Sequence, residues 1–118
     1  MKKCMMLDLK NDEQAIQEYE RLHQQVWPEV EAQFKNFGVL SVDIYRLGTR
    51  LCMVMQTDDS LFDQYAFQAA QDSDPRVQEW ETLMWRFQSP TPWTPAGEKW
   101  MEAKSIYQFC AGPSYVKN

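Results

Sequence analysis

Val39-Leu40-Ser41-Val42-Asp43-Ile44-Tyr45-Arg46-Leu47-Gly48-Thr49-Arg50-Leu51-Cys52-Met53-Val54-Met55-Gln56-Thr57 is the stretch whose reading decides the fold. It holds two β-prone runs, Val39 to Leu47 and Leu51 to Thr57, each of strand length. In the first, Leu40, Val42 and Ile44 form one face and Ser41, Asp43 and Tyr45 the other. Gly48-Thr49 lies between the runs, and glycine beside a short polar residue argues a tight hairpin. The middle of the chain is therefore antiparallel sheet.

Outward toward the N-terminus, Lys3 to Leu9 reads as another strand, in which Met5, Leu7 and Leu9 give one fully apolar face. Between it and the hairpin the period becomes helical. Asn11 is an N-cap candidate with Gln14 three residues on, and Asp12 and Glu13 suit the positive helix end. Ile16, Tyr19, His23, Val26, Trp27, Val30 and Phe34 make an inward stripe that runs to about Asn36. Pro28 either kinks this helix or starts a second segment, and Gly38 is its stop. After the hairpin, Asp58-Asp59-Ser60 caps a helix with Phe62, Tyr65, Ala66 and Ala69 inward. Asp72-Ser73-Asp74-Pro75 breaks it, and Pro75 suits the first turn of a helix carrying Val77, Trp80, Leu83, Met84 and Phe87 on one side. A proline-rich loop, Ser89 to Gly97, leads toward a last strand at Ser105 to Phe109, and the tail from Cys110 to Asn118 has no pattern.

The order is strand, helix, strand, strand, helix, strand. This predicts an α+β, ferredoxin-like βαββαβ domain over residues 1–118, an antiparallel sheet with helices on one face. The other sheet face is partly apolar too, with Tyr45, Met53 and Met55 as candidates. An exposed apolar face asks for a partner, and two sheets packed face to face predict a homodimer of the dimeric αβ-barrel type.

A chain of 118 residues suits one domain with one core, and 44% hydrophobic with 25% charged residues is ordinary globular composition. The net charge of −5 and scattered Lys and Arg argue against nucleic acid as a partner. No apolar run reaches membrane-span length, and Asp8 and Lys10 interrupt any signal-like start. Cys4, Cys52 and Cys110 are odd in number and lack CxxC spacing, which fits free thiols in a reducing cytoplasm. One histidine and dispersed cysteines make no zinc site, and the four glycines form no phosphate loop, so no metal or cofactor is expected.

That single histidine, His23, sits four residues after Tyr19 and four before Trp27, so all three share a helix face. The spacing fits one wall of a polar-aromatic pocket, and it equally fits a buried aromatic stripe with an inert, hydrogen-bonded imidazole. Trp27 and Trp80 fall on inward faces of two helices over the same sheet face. They read as core residues, or as apolar platforms for a sugar ring. Trp93 and Trp100 read as anchors of the proline-rich loop, Glu29, Glu79 and Glu81 as solvated unless the pocket reaches them, and Asp43 as facing the dimer interface.

Tyr19-Glu20-Arg21-Leu22-His23 followed by Val26-Trp27-Pro28-Glu29 resembles the YxxxH…WPE signature of the L-rhamnose mutarotase family. The likeness extends to Gly38, to Ile44-Tyr45, to Trp80…Met84 and to a last aromatic strand. The resemblance implies a small cytoplasmic dimeric isomerase without cofactor that interconverts the α and β anomers of a 6-deoxyhexose. It implies that His23 is the proton donor and that Tyr19 and Trp80 touch the sugar; Trp27, Glu81 and Val42 are further candidate substrate contacts. Two positions depart from rhamnose-type members: Glu81 follows Trp80 where they have a second tryptophan, and Val42 stands where they have a tyrosine. Leu83-Met84-Trp85-Arg86-Phe87-Gln88 and Gly97-Glu98-Lys99-Trp100 resemble the L-fucose branch. The expected substrate is thus L-fucose, with L-rhamnose second. Two other classes share such a fold: a cofactor-free oxygenase or lyase acting on an aromatic substrate, and a non-catalytic sugar-binding dimer.

Overall fold

Leu47 and Arg50 face each other across Gly48-Thr49, closing the central hairpin in two residues. The computed structural model describes residues 1–111. Its elements are β1 (Lys2–Leu9), α1 (Glu13–Leu22), α2 (Pro28–Asn36), β2 (Val39–Leu47), β3 (Arg50–Thr57), α3 (Gln64–Ser73), α4 (Pro75–Trp85), β4 (Gln88–Ser89) and β5 (Met101–Glu102). The sheet order is β2-β3-β1-β4, with β5 also paired to β1, and every pairing is antiparallel. This is the ferredoxin-like arrangement that the pattern predicts.

Register assigns the faces. Met5 lies opposite Met53 and Leu7 opposite Leu51, while on the other edge of β3 Met55 faces Val42 and Met53 faces Ile44. Directly opposed residues share a face, so these side chains all turn one way. That way is toward the helices, because Leu9 and Leu51 pack in one core with Tyr19, Val30, Val77, Trp80, Met84 and Phe87. Met53 and Met55 therefore belong to the helix side, and Met55 is buried against Val39 and Phe67. They are not on the open face, contrary to the expectation. Tyr45 is there as expected, together with Cys4, Met6, Asp43, Cys52 and Val54, by the alternation of side chains along each strand.

The N-cap of α1 is Asp12, not Asn11: its carboxylate accepts from the Gln14 and Ala15 N–H groups. Pro28 starts a second segment as the first residue of α2, and the preceding Trp27 is extended, as a residue before proline prefers. Gly38 ends that segment with φ at 82°, and a Cβ there would come within 2.8 Å of the Leu61 Cβ, so only glycine fits. The cap of α3 is Asp63 rather than Asp58-Asp59-Ser60, whose first carboxylate instead holds a local turn through the Ser60 N–H. The later start rotates the helix phase. Phe67 is buried while Tyr65 and Ala66 face outward. Asp74 and Pro75 begin α4 as the break implies.

The fourth strand differs most from expectation. It is split between β4 and β5, and residues 90–100 leave the sheet between them. Ser105 to Phe109 is not a strand, and Ile106, Tyr107 and Phe109 are exposed. Pairing ends just after the Ala103 N–H donates to the Cys4 carbonyl, because β1 itself begins at Lys2 and offers the chain little further edge. Most of the C-terminal tail, residues 112–118, lies outside the described residues.

Candidate active site

A cleft of about 1310 Å³ opens between the helices and their face of the sheet. Tyr19, His23, Val42, Trp80 and Glu81 all line it. They come from α1, the end of α1, β2 and α4, so the fold gathers positions spread over much of the sequence.

His23 is the C-cap of α1. The Tyr19 carbonyl already accepts from the His23 main-chain N–H at 3.3 Å, and the His23 ring shares that acceptor. Its Nδ1 lies 2.8 Å from the Tyr19 carbonyl oxygen. A carbonyl only accepts, so Nδ1 carries the hydrogen and Nε2 is left with a lone pair in the neutral ring. Burial lowers the imidazole pKa below its ordinary value, with the carbonyl bond opposing the shift. The resting ring is thus a neutral acceptor. The Tyr19 ring tilts against it at 4.4 Å and the Trp80 ring meets it edge-on at 5.5 Å, fixing its plane.

Tyr19 is 3% exposed. Its hydroxyl accepts from Gln88 Nε2 at 3.2 Å, which leaves its own hydrogen to donate elsewhere. Burial pushes the phenol up to about 12, Gln88 works against the shift and the charge of Glu81 adds to it. Tyr19 therefore stays a neutral hydrogen-bond donor near neutral pH.

Trp80 is 5% exposed, so it presents little more than a rim to the cleft. Trp27 does not line the cleft. It stands behind Trp80, edge-on at 5.2 Å, with the Arg76 guanidinium 4.1 Å over its ring. Glu29 reaches toward that Arg76 at 3.9 Å, and one of its oxygens is buried without a hydrogen bond, so it is not a freely solvated side chain. Trp93 is largely exposed beside Arg50, whereas Trp100 reaches the cleft wall. Glu81 is also not free in solvent: Lys99 Nζ donates to its Oε1 at 3.2 Å.

Gln88 and Lys99 are the contributors that sequence reading missed. Gln88 follows the helical stripe as one more polar residue, and only the Phe87-Gln88 turn into β4 aims it at Tyr19. Lys99 is eighteen residues from Glu81 in the chain, and no local pattern links the two. Among the described residues, no three His, Cys, Asp or Glu side chains gather to hold a metal, and no helix is long and apolar enough to cross a membrane.

The arrangement offers one neutral proton acceptor, one phenolic donor and a charged pair in a cleft with aromatic edges. That is equipment for binding a polyol and moving a proton on it. An L-rhamnose mutarotase of Formosa agariphila shares the fold with a TM-score of 0.66 at 16% identity, covering 92% of this chain and 98% of that one. The tetracenomycin F2 cyclase of Streptomyces glaucescens does so with a TM-score of 0.57 at 17% identity, over 95% and 99%. In sequence, an L-fucose mutarotase of Xanthomonas campestris pv. campestris is 44% identical over 106 residues, 88% of this chain and 84% of its own. A protein of Dictyostelium discoideum is 34% identical over 104 residues, 86% and 83% of the two chains. Residues 2–109 match the family described as L-rhamnose mutarotase. With that match and the relative from Xanthomonas covering most of its length, the chain belongs to the L-rhamnose mutarotase family.

Proposed function

We propose that the protein is an aldose mutarotase, an isomerase that interconverts the α and β anomers of a 6-deoxyhexose, with L-fucose preferred over L-rhamnose. The preference is supported by the 44% identity to an L-fucose mutarotase and by Val42 and Glu81. The observation that carries the chemistry is the bond from His23 Nδ1 to the Tyr19 carbonyl, which makes Nε2 the acceptor.

Mutarotation removes a proton from the anomeric hydroxyl, breaks the bond from the anomeric carbon to the ring oxygen, and places a proton on that oxygen. The free aldehyde then turns and the steps run backwards on its other face. His23 Nε2 takes the anomeric proton. The anomeric and ring oxygens are bonded to the same carbon, so the same nitrogen reaches the ring oxygen and delivers the proton there. The histidine is thus a base first and the proton donor second. Tyr19 donates its hydroxyl hydrogen to a sugar hydroxyl, and the rim of Trp80 backs the ring while holding the imidazole. Val42 leaves room where a larger side chain would close the cleft, and Glu81 accepts from sugar hydroxyls. Trp27 acts behind Trp80 as its support.

Saturation transfer between the anomeric proton signals of L-fucose and L-rhamnose, with and without protein, tests this reading. Acceleration of L-fucose exchange above L-rhamnose supports it, and no acceleration for either sugar ends it. A protein that binds L-fucose without speeding exchange is a sugar-binding dimer instead. The polyketide cyclase among the fold neighbours keeps an aromatic-substrate lyase as the second reading. It would show as turnover of a polycyclic aromatic with no effect on sugars.

The homodimer forms through the open sheet face. It is supported by Tyr45 and Leu47 at 62% and 86% exposure on β2, and by the exposed Ile106, Tyr107 and Phe109 on the C-terminal arm. A cytoplasmic location is supported by the odd number of cysteines and their lack of CxxC spacing.

A further inference from the structure

The split of the fourth strand has a structural result that the reaction above does not use. Residues 90–100 leave the sheet after β4 and return at β5, and their last two members, Lys99 and Trp100, stand at the cleft wall. Lys99 lies across α4. Its Nζ is 3.2 Å from Glu81 Oε1 and 4.8 Å from the centre of the Trp85 ring. Glu81 and Trp85 are four residues apart, so they form one surface of that helix and grip the lysine together. Both charged side chains keep contact with solvent, at 31% exposure for Lys99 and 42% for Glu81. The bond between them uses one of three ammonium hydrogens and one of two carboxylate oxygens. The pair thus presents unused donors and an unused acceptor side by side in the cleft that holds Tyr19 and His23.

We propose that Lys99 is a specificity-determining residue, which holds the Glu81 carboxylate at the cleft wall so that the pair reads two neighbouring hydroxyls of the sugar. The inference rests on the mutarotase reading and names what selects its substrate. Two neighbouring hydroxyls fit the pair because one donates to the carboxylate while the other accepts from the ammonium. L-fucose and L-rhamnose differ in configuration at C2 and C4, so their neighbouring hydroxyls point differently and only one sugar meets the pair well. Held by Lys99, the Glu81 carboxylate has a fixed direction; without the lysine it swings on a flexible stem.

The test compares Lys99→Met, which keeps an apolar stem over Trp85 but no charge, with Lys99→Arg, which restores the charge. Anomeric exchange of both sugars is measured over a range of concentrations, with circular dichroism to check folding. Loss of one charged hydrogen-bonding group predicts a KM for L-fucose raised about 10- to 100-fold in Lys99→Met, with a smaller change for L-rhamnose. Lys99→Arg recovers most of the loss. Equal losses for both sugars, or an unchanged KM for L-fucose, overturn the proposal. Should the unmodified protein exchange neither sugar, the mutarotase reading fails by itself. Ligand-observed saturation-transfer difference spectra then decide this inference. L-fucose signal lost in Lys99→Met and kept in Lys99→Arg upholds it; signal unchanged in both, or absent with the unmodified protein, overturns it.

Discussion

His23 Nδ1 sits 2.8 Å from the main-chain carbonyl of Tyr19, one helical turn earlier, so the last turn of α1 fixes both the tautomer and the direction of the only histidine. The imidazole bonds the main chain through one nitrogen, which leaves the lone pair on the other.

Replacing His23 by alanine is expected to cost about 10²–10⁴-fold in anomeric exchange, the usual worth of a positioned acid–base group. The rate on unmodified protein should fall as pH drops and the ring becomes charged. Because burial lowers the pKa from its ordinary 6.5, that fall begins at a lower pH than an exposed imidazole would give. The stability sign follows from the same shift. Between the folded pKa and 6.5 the unfolded chain binds more protons, so stability rises with pH through that window and is lost as pH falls through it. Exchange rates and urea midpoints across this range measure both. A folded His23→Ala protein at near the original rate returns the histidine to a purely structural part.

Tyr19→Phe is expected to raise KM more than it lowers kcat, since in the proposed reaction the hydroxyl binds rather than transfers the proton. It also strands Gln88 Nε2, whose partner is the Tyr19 hydroxyl. An unpaired buried amide costs about 1–3 kcal/mol. Adding Gln88→Leu should regain part of that stability and none of the affinity. Additive losses in the double variant, read by urea unfolding, would show the two side chains to be uncoupled.

A lysine at Val54 or Tyr45 is expected to weaken self-association, whereas the same change at Met55 disrupts the core beneath the helices. Sedimentation velocity at micromolar concentration reads the difference. A stable monomer for the unmodified chain would remove the dimer altogether.

Val42→Tyr with Glu81→Trp is expected to move preference from L-fucose toward L-rhamnose, because it narrows the cleft on the β2 side and removes the carboxylate that Lys99 holds. The ratio of exchange rates for the two sugars is the measurement. An unmodified protein already faster on L-rhamnose would place the chain in the other branch.

The local signals were legible where short-range physics decides them. Gly48-Thr49 closes a hairpin, Pro28 and Pro75 start helices, and Gly38 needs a positive φ whatever the rest of the fold does. The pairing of Tyr19 with His23 was equally local, since four residues along a helix bring two rings together. Alternation in β1 separated two sheet faces, but could not say on which of them each residue of a strand distant in sequence would lie. Met53 and Met55 look as fit for the open face as Val54 does; only the register with Met5, Val42 and Ile44 puts them under the helices. The start of α3 was ambiguous because several aspartates can cap it, and the chosen cap sets which aromatic is buried.

The last strand departs from the sequence pattern for a related reason. Ser105 to Phe109 has the aromatic composition of a strand, yet β1 begins at Lys2 and gives it little edge to pair with. The edge position goes to Gln88–Ser89 and Met101–Glu102, two fragments too short to carry a pattern. Sequence alone thus determined the types of the elements from β1 to α4, the hairpin and the histidine with its tyrosine neighbour, all set by contacts within a few residues. Tertiary structure decided the faces of the sheet, the Gln88 bond to Tyr19 and the meeting of Lys99 with Glu81, because each joins residues whose separation along the chain no local preference encodes.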